Sequence, residues 1–195
     1  MKQDRYEIRL SGSGGQGIIM AGIVLAEAAG VYGNKYVCQT QSYGPEARGG
    51  TSKAEVVISS KPIDYPNTIK PDVLLTMNQA STDTYFRDLK PEGLLVVDST
   101  LVKQIPTTRV VAIPFTQIAR NDIGKEIVAN IVALGTVGYL CQLVTMKMLE
   151  AALMTKVPKG WKEINRKALR LGIKSAKNVS LDALPRTVIP EEEEL

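Results

Sequence analysis

The sequence predicts an α/β protein, a three-layer α/β/α sandwich built on a mostly parallel sheet. The first observation is an alternating stretch at residues 5–10, which leads through a run of glycines into an aliphatic helical stretch. This strand, turn and helix have the pattern of the opening unit of Rossmann-like nucleotide-binding folds. The second observation is that residues 94–98 and 110–113 are continuously apolar, which is typical of strands in a parallel sheet covered on both faces.

Each element follows from its pattern along the chain. Alternating or short apolar runs predict six strands, and longer amphipathic or small-residue runs predict five helices. The predicted strands are 5–10, 35–40, 53–59, 72–76, 94–98 and 110–113. The predicted helices are 18–29, 77–89, 125–143, 147–154 and 159–177.

The length of 195 residues predicts one well-buried domain. We assign this domain to residues 1–178. Residues 179–195 contain two prolines and a closing run of glutamates, so we expect an extended C-terminal tail there.

The composition limits the chemistry that the chain can perform alone. It contains no histidine, which removes the commonest general base and the commonest transition-metal ligand. Cys38 and Cys141 are far apart and belong to no CxxC cluster, so we expect buried, inert thiols rather than a zinc or iron–sulfur site. We therefore expect no catalytic residue and no metal ligand in this chain.

The formal charge of +4 is mild, and much of the excess lies in residues 156–177, where basic residues recur every fourth position. The stretch lacks interleaved aromatic residues, so we expect a solvated or subunit-contacting helix face and no nucleic acid. No apolar run approaches the roughly 18 residues that would suggest a membrane helix, and the N-terminus lacks a signal-peptide core. We expect a cytoplasmic protein.

The first candidate binding element is the glycine turn. Gly12, Gly14 and Gly17 satisfy GxGxxG between a strand and a helix, where glycines permit a tight turn and leave the helix N-terminus free for an anion. A dinucleotide site also needs an acidic residue about 20 positions later, and residues 38–41 contain none. Three readings stay open: a turn that packs a helix on the sheet, a site for another anion or partner loop, and an NAD(P) site.

The second candidate is the loop that begins at Ser42 and runs into a strand. It is polar and rich in turn-forming residues, and it ends in a strand that reaches residue 59. We interpret it as an elaborate turn or as a docking surface.

These two segments resemble the gamma subunits of 2-oxoacid:ferredoxin oxidoreductases, and are most similar to the 2-oxoglutarate type. The resemblance covers most of the chain up to about residue 178 and includes two long motifs in the same order. The matching segments are 12–29, 41–59, 71–79, 93–99, 130–135 and 163–169.

The resemblance implies one subunit of an enzyme that oxidatively decarboxylates a 2-oxoacid to acyl-CoA and reduces ferredoxin. It implies alpha and beta subunits as partners and a ferredoxin-like delta subunit as an optional one. Thiamine diphosphate, Mg²⁺ and iron–sulfur clusters would lie in those partners, with coenzyme A as co-substrate and no cofactor bound by this chain alone. A pyruvate, branched-chain or indolepyruvate enzyme of the same family is an alternative, as is a free-standing Rossmann-like nucleotide-binding protein.

The resemblance also implies that this domain helps to close the entrance through which coenzyme A binds. Arg48 is the foremost candidate, because a guanidinium binds phosphate or carboxylate in a bidentate manner; an ion pair with Glu46 or with a partner carboxylate is the alternative. Tyr43 is as well suited to packing as to ligand contact, and for Asn130 we expect a helix-to-loop hydrogen bond. The full candidate set is Gly12, Gly14, Gly15, Gln16, Gly17, Ser42, Tyr43, Gly44, Glu46, Arg48, Gly49, Gly50 and Thr51.

Overall fold

The computed structural model describes residues 4–43 and 51–188. In these ranges six strands form one sheet in the order β2-β3-β1-β4-β5-β6. The strands are β1 (Arg5–Ser13), β2 (Tyr36–Tyr43), β3 (Thr51–Ser59), β4 (Val73–Thr76), β5 (Leu94–Asp98) and β6 (Val110–Ile113).

The predicted α/β fold with a mostly parallel sheet is confirmed. The strands β1, β4, β5 and β6 pair in parallel, and the short apolar sequences of β4 and β5 are fully buried. The difference from the prediction lies at the other edge, where β3 runs antiparallel to both β1 and β2. The segment after the first helix therefore does not return beside β1, as a Rossmann unit would, but forms a hairpin at the sheet edge.

The helices agree with the sequence pattern in place and type. They are α1 (Ile18–Glu27), α2 (Gln79–Tyr85), α3 (Phe115–Ile118), α4 (Ala129–Cys141), α5 (Met146–Lys156) and α6 (Lys162–Lys177). The sequence did not predict α3, because four residues are too few to show a helical period. It follows Pro114 directly and continues as a π-helical turn, Ala119–Ile123.

Two hydrophobic clusters lie on opposite faces of the sheet. The larger one joins the sheet to α1, α4, α5 and α6, and α4 is buried on almost every side. The smaller one includes Leu74, Leu95 and Val97 of the opposite face, together with Val188 near the end of the described chain. The backbone N–H of Val188 donates to the Pro91 carbonyl at 2.7 Å, which holds this segment against the body.

The helices α4 and α6 cross at very short range. A Cβ atom added to Gly172 would overlap the carbonyl oxygen of Val132, and one added to Gly135 would overlap that of Leu169. The Thr136 hydroxyl donates to the Gly172 carbonyl at 2.9 Å. The glycines are thus required by direct backbone contact between the two helices.

A buried polar network lies on the other face of β1 and β3. The Arg9 guanidinium pairs with Glu55 at 2.7 Å and also binds Asp88, and the Thr68 hydroxyl donates to Glu55 at 2.5 Å. Burial alone would raise the pKa of Glu55, but the Thr68 hydrogen bond and the charges of Arg9 and Lys53 outweigh it and hold the pKa below its ordinary 4.5. The network fastens the segment after β3 over the sheet. No helix within the described ranges is long and apolar enough to cross a membrane.

Candidate functional site

The glycine turn joins the carboxyl end of β1 to the start of α1. Gly15 and Gly17 have φ values of 89° and 71°, which glycine adopts without strain. No side chain caps α1, so its first backbone N–H groups are left without a capping partner within the described chain. Such an N-terminus favours an anion, because the unpaired N–H groups and the helix dipole act together.

Gln16 holds the turn in place. Its Oε1 accepts from the backbone N–H of Ser13 at 2.7 Å, and its Nε2 donates to the Met77 carbonyl, just beyond β4, at 3.2 Å. A Cβ atom on Gly12 would lie 2.5 Å from the same Oε1. Gln16 therefore links the carboxyl ends of β1 and β4, and its side chain occupies the space that a side chain at residue 12 would need.

The two candidate loops converge on one edge of the sheet. In the β1–β3 register, Ser13 is opposite Thr51 and Gly12 is opposite Ser52, whose hydroxyl donates to the Gly12 carbonyl at 3.2 Å. Thr51, where the chain resumes after this loop, thus lies beside the glycine turn, whereas Tyr43 is paired with Ser52 and lies one strand further out. Tyr43, at its first end, is 70% exposed. The predicted site residues Gly44, Glu46, Arg48, Gly49 and Gly50 lie outside the described residues.

A cleft flanks the turn on both sides. The apolar part has a volume of about 290 Å³, and the more polar part about 310 Å³; both parts touch Gly15 and Ile127. The apolar part is lined by Gly15, Gly17, Met20, Ile127, Val128, Asn130, Ile131, Val157, Pro158, Trp161 and Asn165. The polar part is lined by Gly15, Gln16, Met77, Thr116, Glu126, Ile127 and Ala129.

Asn130 connects α4 to the turn. Its Nδ2 donates to the Gly17 carbonyl at 3.0 Å, which confirms the predicted helix-to-loop hydrogen bond. Its Oδ1 is buried and has no hydrogen-bond partner among the residues that the structure describes. Asn130 therefore positions the turn through the nitrogen of its amide, while the oxygen is closed off from solvent.

The sequence did not identify the apolar lining of this cleft. Ile127 and Trp161 lie in short 3-10 turns that precede α4 and α6, and they are 67% and 37% exposed. Two large apolar side chains in turns, one of them three residues after a proline, were the available signal, but the sequence does not show that the turns face each other.

The topology weakens the NAD(P) reading. A ribose acceptor in a Rossmann unit ends the strand beside β1, but here β2 is separated from β1 by β3, a distance of about 10 Å at the usual strand spacing. Asp98 is the last residue of β5, and its carboxylate accepts three hydrogen bonds. They come from the backbone N–H of Thr100 at 3.0 Å, from the backbone N–H of Thr116 at 3.1 Å and from the Thr116 hydroxyl. Asp98 caps these two turns.

Neither cysteine takes part in the cleft. Both thiols are free, and burial raises the pKa of the Cys141 thiol to about 11, which suppresses its reactivity. Cys38 is only half-buried on the edge strand. Within the described ranges, no group of three histidine, cysteine or carboxylate side chains is placed to hold a metal ion.

Comparison with known proteins agrees with this architecture. The model of the family described as pyruvate ferredoxin/flavodoxin oxidoreductase matches residues 7–175. The 2-oxoglutarate synthase subunit KorC of Methanocaldococcus jannaschii is 50% identical over 179 residues, which cover 90% of this chain and 96% of the relative. The subunit KorC of Methanothermobacter thermautotrophicus is 43% identical over 180 residues, which cover 88% of this chain and 95% of the relative.

A solved structure shows the same fold. The gamma subunit of a keto/oxoacid ferredoxin oxidoreductase from Geobacter sulfurreducens superposes with a TM-score of 0.83 at 45% identity, covering 94% of this chain and all of that one. The family match spans both candidate loops and all of the sheet except the first two residues of β1. The chain belongs to the pyruvate ferredoxin/flavodoxin oxidoreductase family and is a gamma-type subunit of a 2-oxoacid:ferredoxin oxidoreductase.

Proposed function

We propose that the chain forms one wall of the coenzyme A entrance in a complex that oxidatively decarboxylates 2-oxoglutarate. In that reaction the carboxyl group leaves as CO₂, the acyl group forms a thioester with coenzyme A, and the two electrons released pass to ferredoxin. Thiamine diphosphate with Mg²⁺ supplies the carbanion chemistry and iron–sulfur clusters carry the electrons, both in partner subunits.

The observation that carries the proposal is the position of an anion-accepting turn at the mouth of an apolar cleft. Coenzyme A has phosphates at one end and a long, largely uncharged arm at the other. The N-terminus of α1 suits a phosphate, and the cleft beside it suits the arm. A ligand with both characters uses both features, whereas a simple anion would leave the cleft unused.

The second loop supports the same assignment through its flanking strands. Thr51 is paired with Ser13 of the glycine turn and Tyr43 lies one strand further out, so the described ends of this loop lie at the same edge of the sheet as the proposed phosphate site. We assign phosphate or partner-carboxylate binding to Arg48 on the chemistry of its guanidinium. The other members of the candidate set would supply backbone contacts in these two loops.

The choice of 2-oxoglutarate rests on the relatives, two of which are named as 2-oxoglutarate synthase subunits. Pyruvate, branched-chain 2-oxoacids and indolepyruvate are the competing substrates. The proposed partners are alpha and beta subunits, a delta subunit and free ferredoxin. The proposed location is the cytoplasm, which agrees with two cysteines that remain free thiols.

The test is native mass spectrometry of the purified complex together with a screen of 2-oxoacids. We expect this chain to co-purify with thiamine-dependent subunits and the complex to reduce ferredoxin fastest with 2-oxoglutarate and coenzyme A. A chain that purifies alone and binds NAD tightly would refute the assignment. Faster turnover with pyruvate or a branched-chain acid would refute only the substrate.

Arg48→Ala tests the role of the second loop. We expect a KM for coenzyme A that is about tenfold higher or more, since a charge-assisted hydrogen bond contributes about 1.5–3 kcal/mol. The matched control is Arg87→Ala, which removes an exposed guanidinium beyond α2 on the opposite face of the sheet. Equal KM values and equal subunit assembly for the two variants would remove Arg48 from the site.

A further inference from the structure

The strand β2 leaves one edge of the sheet open. It is the outermost strand, and within residues 4–43 and 51–188 it pairs only with β3. None of its eight residues is fully buried, whereas seven of the nine residues of β3 are. In an edge strand, every second residue turns its backbone N–H and C=O away from the sheet. This edge therefore offers a row of hydrogen-bonding groups along the whole strand.

The features that usually protect such an edge are absent from β2. Its sequence, YVCQTQSY, contains no charged residue and no proline. Its register with β3 continues without a bulge from the pair Tyr36–Ser59 to the pair Tyr43–Ser52. Proteins commonly block exposed edges with lysine, proline, bulges or short strands, because an open edge pairs with other chains. The strand β2 is long, regular and uncharged, which is typical of a strand that pairs with another chain.

The opposite edge of the same sheet is protected. The strand β6 has only four residues, and two of them are buried. The last described segment of the chain is bound beside the start of β6. There the Thr107 hydroxyl donates to the Val188 carbonyl at 2.5 Å, and the Arg109 guanidinium donates to the Pro185 carbonyl. The open edge is therefore a property of β2 and not of the whole sheet.

Apolar side chains extend the open edge at both ends of β2. Tyr36 is 51% exposed and Tyr43 is 70% exposed. Val31 and Tyr32 are 72% and 39% exposed, and they lie in the π-helical turn Ala28–Tyr32, which contacts β2. Large exposed apolar groups beside an unpaired backbone edge favour β-augmentation, in which main-chain hydrogen bonds give affinity and side chains give specificity.

The size of this edge indicates what can occupy it. Two free copies of a chain need about 20–30 residues on each side for stable association. Here the strand has eight residues and the turn beside it adds two exposed ones, so the edge alone falls short of that size. A strand of a partner subunit, which other contacts already hold in the complex, has no such requirement.

We propose that β2 binds an extended strand of a partner subunit, which continues the six-stranded sheet of this chain. The partner strand carries no charged side chain opposite β2, because β2 has no charge to pair with it. β-Branched and aromatic residues suit this strand, since they pack well against exposed tyrosines in a sheet. The proposal depends on the membership of this chain in a multisubunit enzyme and not on the binding of coenzyme A.

Hydrogen exchange, measured residue by residue, compares the isolated chain with the purified complex. In the isolated chain, we expect alternate N–H groups of β2 to exchange as fast as in an unstructured peptide. In the complex the same groups should exchange at least about 100-fold more slowly, because hydrogen bonds to the partner strand protect them. The strand β6 is the internal control and should keep its rates. Unchanged exchange in β2, or equal slowing in β2 and β6, would overturn the proposal.

Two proline substitutions separate docking from folding. Of the neighbours Thr40 and Gln41, one directs its N–H to β3 and the other directs its N–H outward. We therefore expect one of the variants Thr40→Pro and Gln41→Pro to lose its fold, as judged by circular dichroism. The other should stay folded but enter the complex at least about tenfold more weakly. A folded variant that assembles as well as the unaltered chain would show that the proposal is wrong.

A photo-crosslinking side chain identifies the occupant. In Tyr36→p-benzoylphenylalanine an aromatic ring stays at the exposed end of β2, and we expect it to link to an uncharged segment of a partner subunit. A link to a second copy of this chain, or to a segment rich in charged residues, would contradict the proposal. If the chain enters no complex, the proposed function fails as well. If the chain enters the complex and β2 stays open, only the partner strand is refuted.

Discussion

The substitution Gly17→Ala tests whether the turn depends on backbone conformation and close approach. At a φ of 71° an alanine costs about 1–2 kcal/mol relative to glycine. The new Cβ would also overlap Asn130 Nδ2, so that the hydrogen bond to the Gly17 carbonyl is lost, which costs about 1 kcal/mol. Together we expect the free energy of unfolding to fall by about 2–3 kcal/mol.

The assay is urea unfolding of the 195-residue chain, followed by circular dichroism. Gly14→Ala is the matched control, because Gly14 has no positive φ and a Cβ atom there meets nothing within 4 Å. We expect the control to change the free energy of unfolding by less than about 0.5 kcal/mol. If Gly17→Ala and Gly14→Ala had equal free energies of unfolding, then neither the positive φ of Gly17 nor its contact with Asn130 would matter for stability. That result would refute the geometry of the turn.

Four further predictions concern the body of the protein. Arg9→Leu should lower the free energy of unfolding by about 3–5 kcal/mol, because it removes the buried guanidinium from Glu55 and leaves that carboxylate with the partly exposed Lys53 ammonium as its ion pair; a loss below about 1 kcal/mol in urea would contradict this. The folded chain holds the pKa of Glu55 below 4.5, so the ionised carboxylate stabilises the fold fully above pH 4.5 and loses that effect as the pH falls through the pKa of the folded state. In an acid titration, the free energy of unfolding of Glu55→Gln should therefore fall less steeply with pH than that of the unaltered chain. Gly172→Ala should destabilise the chain by about 3 kcal/mol through contact with the α4 backbone, measured by thermal unfolding, whereas Gly160→Ala, which meets nothing, should unfold like the original. Cys141 should resist alkylation at pH 8 until the chain is unfolded, as its raised pKa requires, and labelling at the rate of a free thiol would show the burial to be wrong.

The sequence predicted the strands and most helices because their signals are local. Alternation in β1 and continuous apolar runs in β5 and β6 depend only on which faces are buried. The order of strands was not predictable in this way, because the pairing of β3 with β1 is a contact between distant parts of the chain. A polar loop that joins β2 to β3 is compatible with either a hairpin or a crossover until that pairing is known.

The sequence predicted the site only where a short motif determines the local backbone conformation by itself. The glycine turn was located by spacing, and the hydrogen bond of Asn130 to a loop was predicted from its place in the long helix. The cleft required three separate segments to converge, namely the turn, the approach to α4 and the approach to α6. Ile127 and Trp161 have no shared pattern in the sequence, since nothing local records which turns face each other.

The close crossing of α4 and α6 has a consequence for how a ligand enters. Asn130 belongs to α4 and Asn165 to α6, so the two asparagines of the cleft wall lie on helices whose backbones touch at Gly135 and Gly172. Helices locked at that distance cannot hinge or slide past each other without breaking the contact. The part of the cleft wall that α4 and α6 form is therefore preformed, and it keeps its shape when a ligand enters.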